Sequence, residues 1–218
     1  MKNDKARQQH GIRAILLTAS IVTVGIAVTF TGARVQAAHD DVTPPPVPAK
    51  IQVPVGHKAV LVGHAVGTQD YVCVLSGATF AWTLFTPQAT LFNDRERQLM
   101  THYFSPNPDE NLTIRATWQD SRDASTVWAQ VDEMSSDAPF VTRGAIPWLL
   151  LQVTGKEKGP RGGDSLTATK YIQRLSTVGG SAPATGCAAA TDIGKKAFVP
   201  YKADYFFFER VKDHSDYD

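Results

Sequence analysis

An all-β antiparallel domain, folded as a β-sandwich or a closed β-barrel, is what the sequence predicts, on three observations. From Ile51 onward apolar residues recur with a period near 2 rather than 3.6. Glycines, prolines and Ser-Gly pairs cut the chain into short runs: Gly56, Gly67, Ser76-Gly77, Pro87, Pro106, Pro108, Pro139, Gly144 and Gly179-Gly180. Helical patterning is confined to Asn93–Met100, one or two turns in length, so at most one or two short helices are expected.

The chain opens on residues 1–37, which read as a signal peptide. Lys2, Lys5, Arg7 and Arg13 form a positive start, an apolar stretch runs from Ala14 to Phe30, and Val35-Gln36-Ala37 supplies small residues for cleavage. The alternative is a retained anchor, the stretch of about 17 apolar residues lying at the short limit for a spanning helix. Either way the chain is expected to be exported, to a periplasm or the extracellular space, and to meet a membrane only through this segment if uncleaved. Residues 38–50, with Pro44-Pro45-Pro46-Val47-Pro48, read as an extended linker, because proline fixes φ and removes donors. One β domain is expected over 51–210, and 211–218 is a polar tail.

Within the domain the clearest strand holds Leu112, Ile114, Ala116 and Trp118 alternating with Thr113, Arg115, Thr117 and Gln119. One face of it is buried and one wet. Further strands are expected at Ala59–Val66, Asp70–Leu75, Thr79–Phe85, Val127–Val131, Trp148–Thr154, Thr169–Thr177 and Ala203–Glu209. Leu149-Leu150-Leu151 and Phe206-Phe207-Phe208 have no polar face and read as strands buried on both sides or covered edges. Gly155–Asp164, polar, basic and glycine-rich, reads as a mobile hairpin loop between two strands.

Hydrophobic residues make up 43% and charged residues 20%, so a core of useful size can form. Without residues 1–37 the chain carries 17 basic and 20 acidic side chains, a net charge of −3. Nothing in that balance attracts nucleic acid. The two cysteines, Cys73 and Cys187, both follow the leader, and in an oxidising compartment they are expected to pair.

Chemistry-bearing motifs are sparse. There is no G-x-S-x-G, no H-E-x-x-H, and the Gly155–Asp164 segment lacks the spacing of a phosphate-binding loop. His57 and His64 are an odd number apart and face opposite sides of one strand, so they cannot grip one ion. Asp120, Asp123, Asp132, Glu133 and Asp137 form a solvated acidic face rather than a calcium loop. No metal and no cofactor are expected. Trp82, Trp118, Trp128 and Trp148 are core residues or a stacking face for a flat ligand.

Tyr71-Val72-Cys73, His102-Tyr103, Ile146–Leu151, Ile172–Pro183, Cys187 and Tyr201–Phe207, in that order, resemble the family known as domain of unknown function 3455. The resemblance covers about Ile51 to Phe208. It implies export, a mostly-β domain and the two cysteines, and it brings no activity, cofactor or catalytic residue. Phe104-Ser105-Pro106-Asn107-Pro108 departs from the family pattern after its His-Tyr pair.

The leading expectation is therefore a non-enzymatic module that binds a small molecule, a glycan or a protein. The alternative is a hydrolase or isomerase with His102 as acid or base. His102, Tyr103 and Arg174 are the candidate ligand-binding residues, with Trp118 as a wall. His102 titrates near physiological pH, and Arg174 is a charge inside an apolar strand that needs a partner or a wet face. If the site exists, His102 and Arg174 converge on one concave pocket.

Overall fold

A computed structural model describes residues 42–211; the signal peptide expected at 1–37 and most of the expected C-terminal tail lie outside the described residues. Alternation drives the architecture: each strand turns one apolar row inward, and eight such strands close on themselves. They are β1 (His57–Ser76), β2 (Thr79–Phe92), β3 (Gln98–Asn107), β4 (Thr113–Asp120), β5 (Thr126–Ser135), β6 (Trp148–Glu157), β7 (Thr169–Gly179) and β8 (Lys196–Arg210). Each pairs antiparallel with the next, and β8 pairs with β1, so the sheet is a closed up-and-down barrel. Helical structure among the described residues is limited to 3₁₀ turns at Ala49–Ile51, Pro108–Glu110 and Ala190–Asp192.

One interior layer shows how the wall is filled. Tyr201, Gly67, Ala89, His102, Trp118 and Val127 are successive register partners across β8, β1, β2, β3, β4 and β5. Small residues sit beside the large indole and phenol, which lets a narrow barrel hold both. Gly67 was read as a break between two strands, but β1 runs straight through it. A Cβ there would lie 2.0 Å from the Gln88 carbonyl oxygen and 2.7 Å from the Ala89 Cβ. Glycine is required at that position by the close approach of two strands rather than by a turn.

The helix expected at Asn93–Met100 does not form. The Asn93 carboxamide accepts from the backbone N–H groups of Arg95 and Arg97, both at 3.0 Å, and Glu96 adopts a left-handed φ of 56°. That local turn chemistry competes with helical bonds, and from Gln98 the chain is already strand β3. The segment Gly155–Asp164 also differs from its expected form. Its first three residues extend β6, and the remainder folds back over the barrel. Ser165 N–H donates to Asp123 Oδ2, Leu166 N–H donates to Ser125 Oγ, and the Leu166 side chain is 1% exposed inside the core. Leu166 thus closes the barrel end that carries the β2–β3, β4–β5 and β6–β7 connections.

The two continuous apolar runs are buried on both faces. Leu149, Leu151 and Phe207 point into the barrel, while Leu150, Phe206 and Phe208 join an outer cluster with Trp148, Leu175 and Ile51. The proline-rich segment is what covers that outer face: Val42, Val47 and Val53 pack on it, and the Gln173 amide donates to the Ile51 carbonyl at 2.7 Å.

Cys73 and Cys187 form a disulfide, tying β1 to the β7–β8 connection across 114 positions. The tied loop also receives the Trp82 indole N–H on the Thr185 carbonyl at 2.9 Å.

Candidate cavity at the open end of the barrel

At the end carrying the β1–β2, β3–β4, β5–β6 and β7–β8 connections, the interior is not filled by side chains. A cavity of about 390 Å³ remains, inside the range of about 300–1,000 Å³ typical of small-ligand sites. Trp118 and His102 line its inner part, and Phe104, Ala116, Ala129, Leu149 and Leu151 line its sides. Ile114, Val131 and Met134, each about half exposed, form an apolar rim at the surface.

The alternation of four strands delivers the polar groups. Gln69 and Tyr71 come from β1, His102 from β3, Arg174 from β7 and Tyr205 from β8. The Tyr71 hydroxyl donates to the Gly180 carbonyl at 2.7 Å, which anchors the glycine pair at the cavity edge. His102 is 4% exposed and stacks on Trp118, with ring centroids 4.2 Å apart and planes within 10°. Its Nδ1 donates to the Thr117 carbonyl at 2.9 Å, which fixes the neutral tautomer with the lone pair on Nε2. Burial pushes its pKa down to about 3, against the opposing Thr117 bond, and the Arg174 charge pushes it further the same way. His102 is therefore uncharged at neutral pH.

Arg174 lies between Leu149 and Tyr205 in register and donates Nε–H and Nη2–H to the Pro147 carbonyl at 3.2 and 2.9 Å. No carboxylate reaches ion-pair distance of it among the described residues. Its charge is felt throughout the cavity. Burial raises the phenol pKa values of Tyr71 and Tyr205, and Arg174 acts against that rise at both. The second cation on the lining, Arg115, is already neutralised. Its Nε and Nη2 grip Glu110 in a bidentate pair at 2.8 and 2.7 Å, and that pair, with donors from Thr154 and Asn107, lowers Glu110 to a pKa of about 2.

Three of the four candidate residues thus share one cavity: His102, Arg174 and Trp118. Tyr103 does not. It follows His102 on one strand, so its side chain alternates to the outer face, where it borders a shallow groove with Val66, Gln88 and Thr101. The four tryptophans form no common face. Trp118 is inside, Trp128 donates to Ser105 on the outer wall, Trp148 packs against Phe140 in the outer cluster, and Trp82 lies under the disulfide loop. Gln69, Tyr71, Phe104 and Tyr205 were missed from the sequence. The period-2 rows Gln69/Tyr71, His102/Phe104 and Ala203/Tyr205 were the signal that pointed to them.

Among the described residues no group of three or more His, Cys, Asp or Glu side chains is arranged to hold a metal ion. Asp120 and Asp123 instead organise backbone. Asp120 Oδ1 accepts from Arg122 and Asp123 N–H, and Asp123 Oδ1 accepts from Ser125 N–H.

Fold and site together define a class: a disulfide-tied, eight-stranded antiparallel barrel with an internal cavity carrying one arginine without an acidic partner. Within that class the chain belongs to the family described as "Protein of unknown function (DUF3455)", whose model matches residues 54–209, all eight strands but for Arg210 at the end of β8. No curated protein and no solved structure matches it.

Proposed function

We propose that this chain is an exported, non-enzymatic module that holds a small molecule inside its barrel. The observation that carries the reading is the cavity itself. Eight-stranded barrels are narrow enough for side chains to fill completely or to hold one small ligand, and this one keeps about 390 Å³ open at one end. Its lining is mostly apolar with a few convergent polar groups, the composition of a small-molecule site rather than of a glycan cleft. Export rests on the leader-like N-terminus. The Cys73–Cys187 bridge supports it, because structural disulfides persist in oxidising compartments.

The competing enzyme reading needs His102 to exchange a proton. A base works best with a pKa near the working pH. His102 is depressed to about 3 and spends its one N–H on a backbone carbonyl. The same features suit a neutral hydrogen-bond acceptor at the inner end of a binding cavity.

Native mass spectrometry of the protein, purified without denaturation, is expected to show a small organic molecule released on unfolding. Ala129→Phe, which fills the cavity from its wall, is expected to fold and to lose that molecule. A wild-type protein that carries no ligand and binds no apolar probe overturns the reading.

A further inference from the structure

Resting on the reading of the cavity as a ligand site, we infer that its ligand is an apolar monocarboxylate, with the carboxylate on Arg174 and the hydrocarbon body along Trp118 and Leu149 toward the rim. The argument begins with charge. A guanidinium presents five N–H donors; the Pro147 carbonyl takes two of them and the Tyr205 hydroxyl faces another. No Asp or Glu lines the cavity. Asp70, Asp132, Glu133 and Asp204 each stand next to a lining residue in sequence, but none of them lines the cavity, as expected of strands whose successive side chains alternate between faces. Arg174 is half-buried in a mostly apolar cavity and has no acidic partner among the described residues; a partly desolvated guanidinium gains most from an anion that reaches its remaining donors.

The number of charges follows from the neighbours. His102 is neutral and Arg115 is spent on Glu110, so one positive charge is left. One negative charge matches it, and a dianion is disfavoured. The flat fork of arginine pairs two N–H groups with the two oxygens of a carboxylate. Size follows from volume. At ~30 Å³ per water-sized unit, about 390 Å³ holds roughly a dozen units, the scale of a medium-chain fatty acid. The exposed apolar rim of Ile114, Val131 and Met134 lets the far end of a longer tail reach out.

The test is calorimetric titration of the oxidised protein with decanoate, with decanol as the same tail without charge, with decyltrimethylammonium as the same tail with the opposite charge, and with acetate as the head alone. Decanoate is expected to bind at least about tenfold tighter than decanol, in line with a charge-assisted hydrogen bond, the cation more weakly than decanol, and acetate not measurably. In Arg174→Met the decanoate advantage should vanish while decanol affinity is kept. Binding should also raise the His102 titration, followed by NMR of its ring Cε1–H, because the bound carboxylate offsets the Arg174 charge; decanol should not. Equal affinity for decanoate and decanol in the wild-type protein overturns the inference while leaving the ligand-binding reading intact. A preference retained in Arg174→Met overturns the assignment to Arg174, which then serves to brace Pro147. No binding of any decyl probe overturns both. Should Arg174→Met fail to fold, the wild-type series and the His102 titration decide the matter alone.

Discussion

His64 on β1 and His102 on β3, with β2 between them, respond to pH in opposite directions. His102 has a folded pKa of about 3, set first by burial, against 6.5 in the unfolded chain. Between those values the unfolded chain binds the proton and the folded barrel does not. Stability from this residue is present above 6.5 and is lost as pH falls toward 3. At pH 4 the loss amounts to about 3 kcal/mol. His102→Phe keeps a flat ring on Trp118 and removes the titration. The difference in thermal midpoint between variant and wild type should therefore shift in favour of the variant from pH 7 to pH 4. His64 is on the outer face, between Asp204 at 2.7 Å and Asp94 at 2.9 Å. The Asp204 bond is the main cause of its raised pKa, desolvation opposes, and Asp94 adds to the rise. Its contribution is full below 6.5 and lost as pH rises through the elevated folded value. The site is largely solvated, so the effect is small. His64→Asn should cost stability at pH 6 and less at pH 8, measured by urea unfolding.

At the scale of elements, one connection at each end of the barrel makes a prediction. The β7–β8 connection is held by the disulfide and by Gly180. Removing the bridge in Cys73→Ala/Cys187→Ala should cost up to about 4–5 kcal/mol, the loop-closure figure for a loop of this size, read from urea unfolding. Gly180 combines a φ of 83° with a site where a Cβ would lie 2.9 Å from the Tyr201 Cβ and 3.1 Å from Ile146 Cγ2. Gly77 has φ 60° and open space around it. Gly77→Ala should cost about 1–2 kcal/mol, from backbone strain alone. Gly180→Ala should cost about 1–3 kcal/mol more, from overpacking. Equal costs would show that Gly180 is needed only for its φ. At the opposite end, Leu166→Ala opens the plug and should cost about 2–5 kcal/mol. Because Leu166 sits at the far end from the rim, decanoate affinity should change far less than stability.

For the whole molecule, closure is the decisive event. β1 and β8 pair from His57–Arg210 to Val72–Lys196, and the His64–Asp204 contact spans 140 positions. Such long-range pairing must overcome loop-closure entropy before it is rewarded. Refolding of the oxidised protein is expected on the millisecond-to-second scale or slower, by stopped-flow tryptophan fluorescence. Reduction should slow it further, since the 73–187 bridge brings β8 close to β1 before the strands pair. A rate unaffected by reduction would show that β1 and β8 meet after the limiting step.

The amino-acid sequence by itself determined the local geometry of this protein. The alternation Ile114/Ala116/Trp118, the two-faced runs Leu149–Leu151 and Phe206–Phe208, and the Ser76-Gly77 turn all mark strands and turns, because a period of 2 and a positive φ are properties of a few neighbouring residues. Strand β3 was not among the expected strands, because its start lies behind an Asn93 turn whose polar residues mimic a helix at short range. His102, Trp118 and Arg174 stood out singly as residues with unmet needs. The alternation rule applied to His102-Tyr103 was enough to send Tyr103 to the other face. What only the tertiary structure decided was that the sheet closes as a barrel rather than splitting into a sandwich, and that those three residues meet. Both depend on pairing between β1 and β8 and on the register of every strand between them. Register is set by side chains packing across the whole barrel, so no local stretch of sequence contains it.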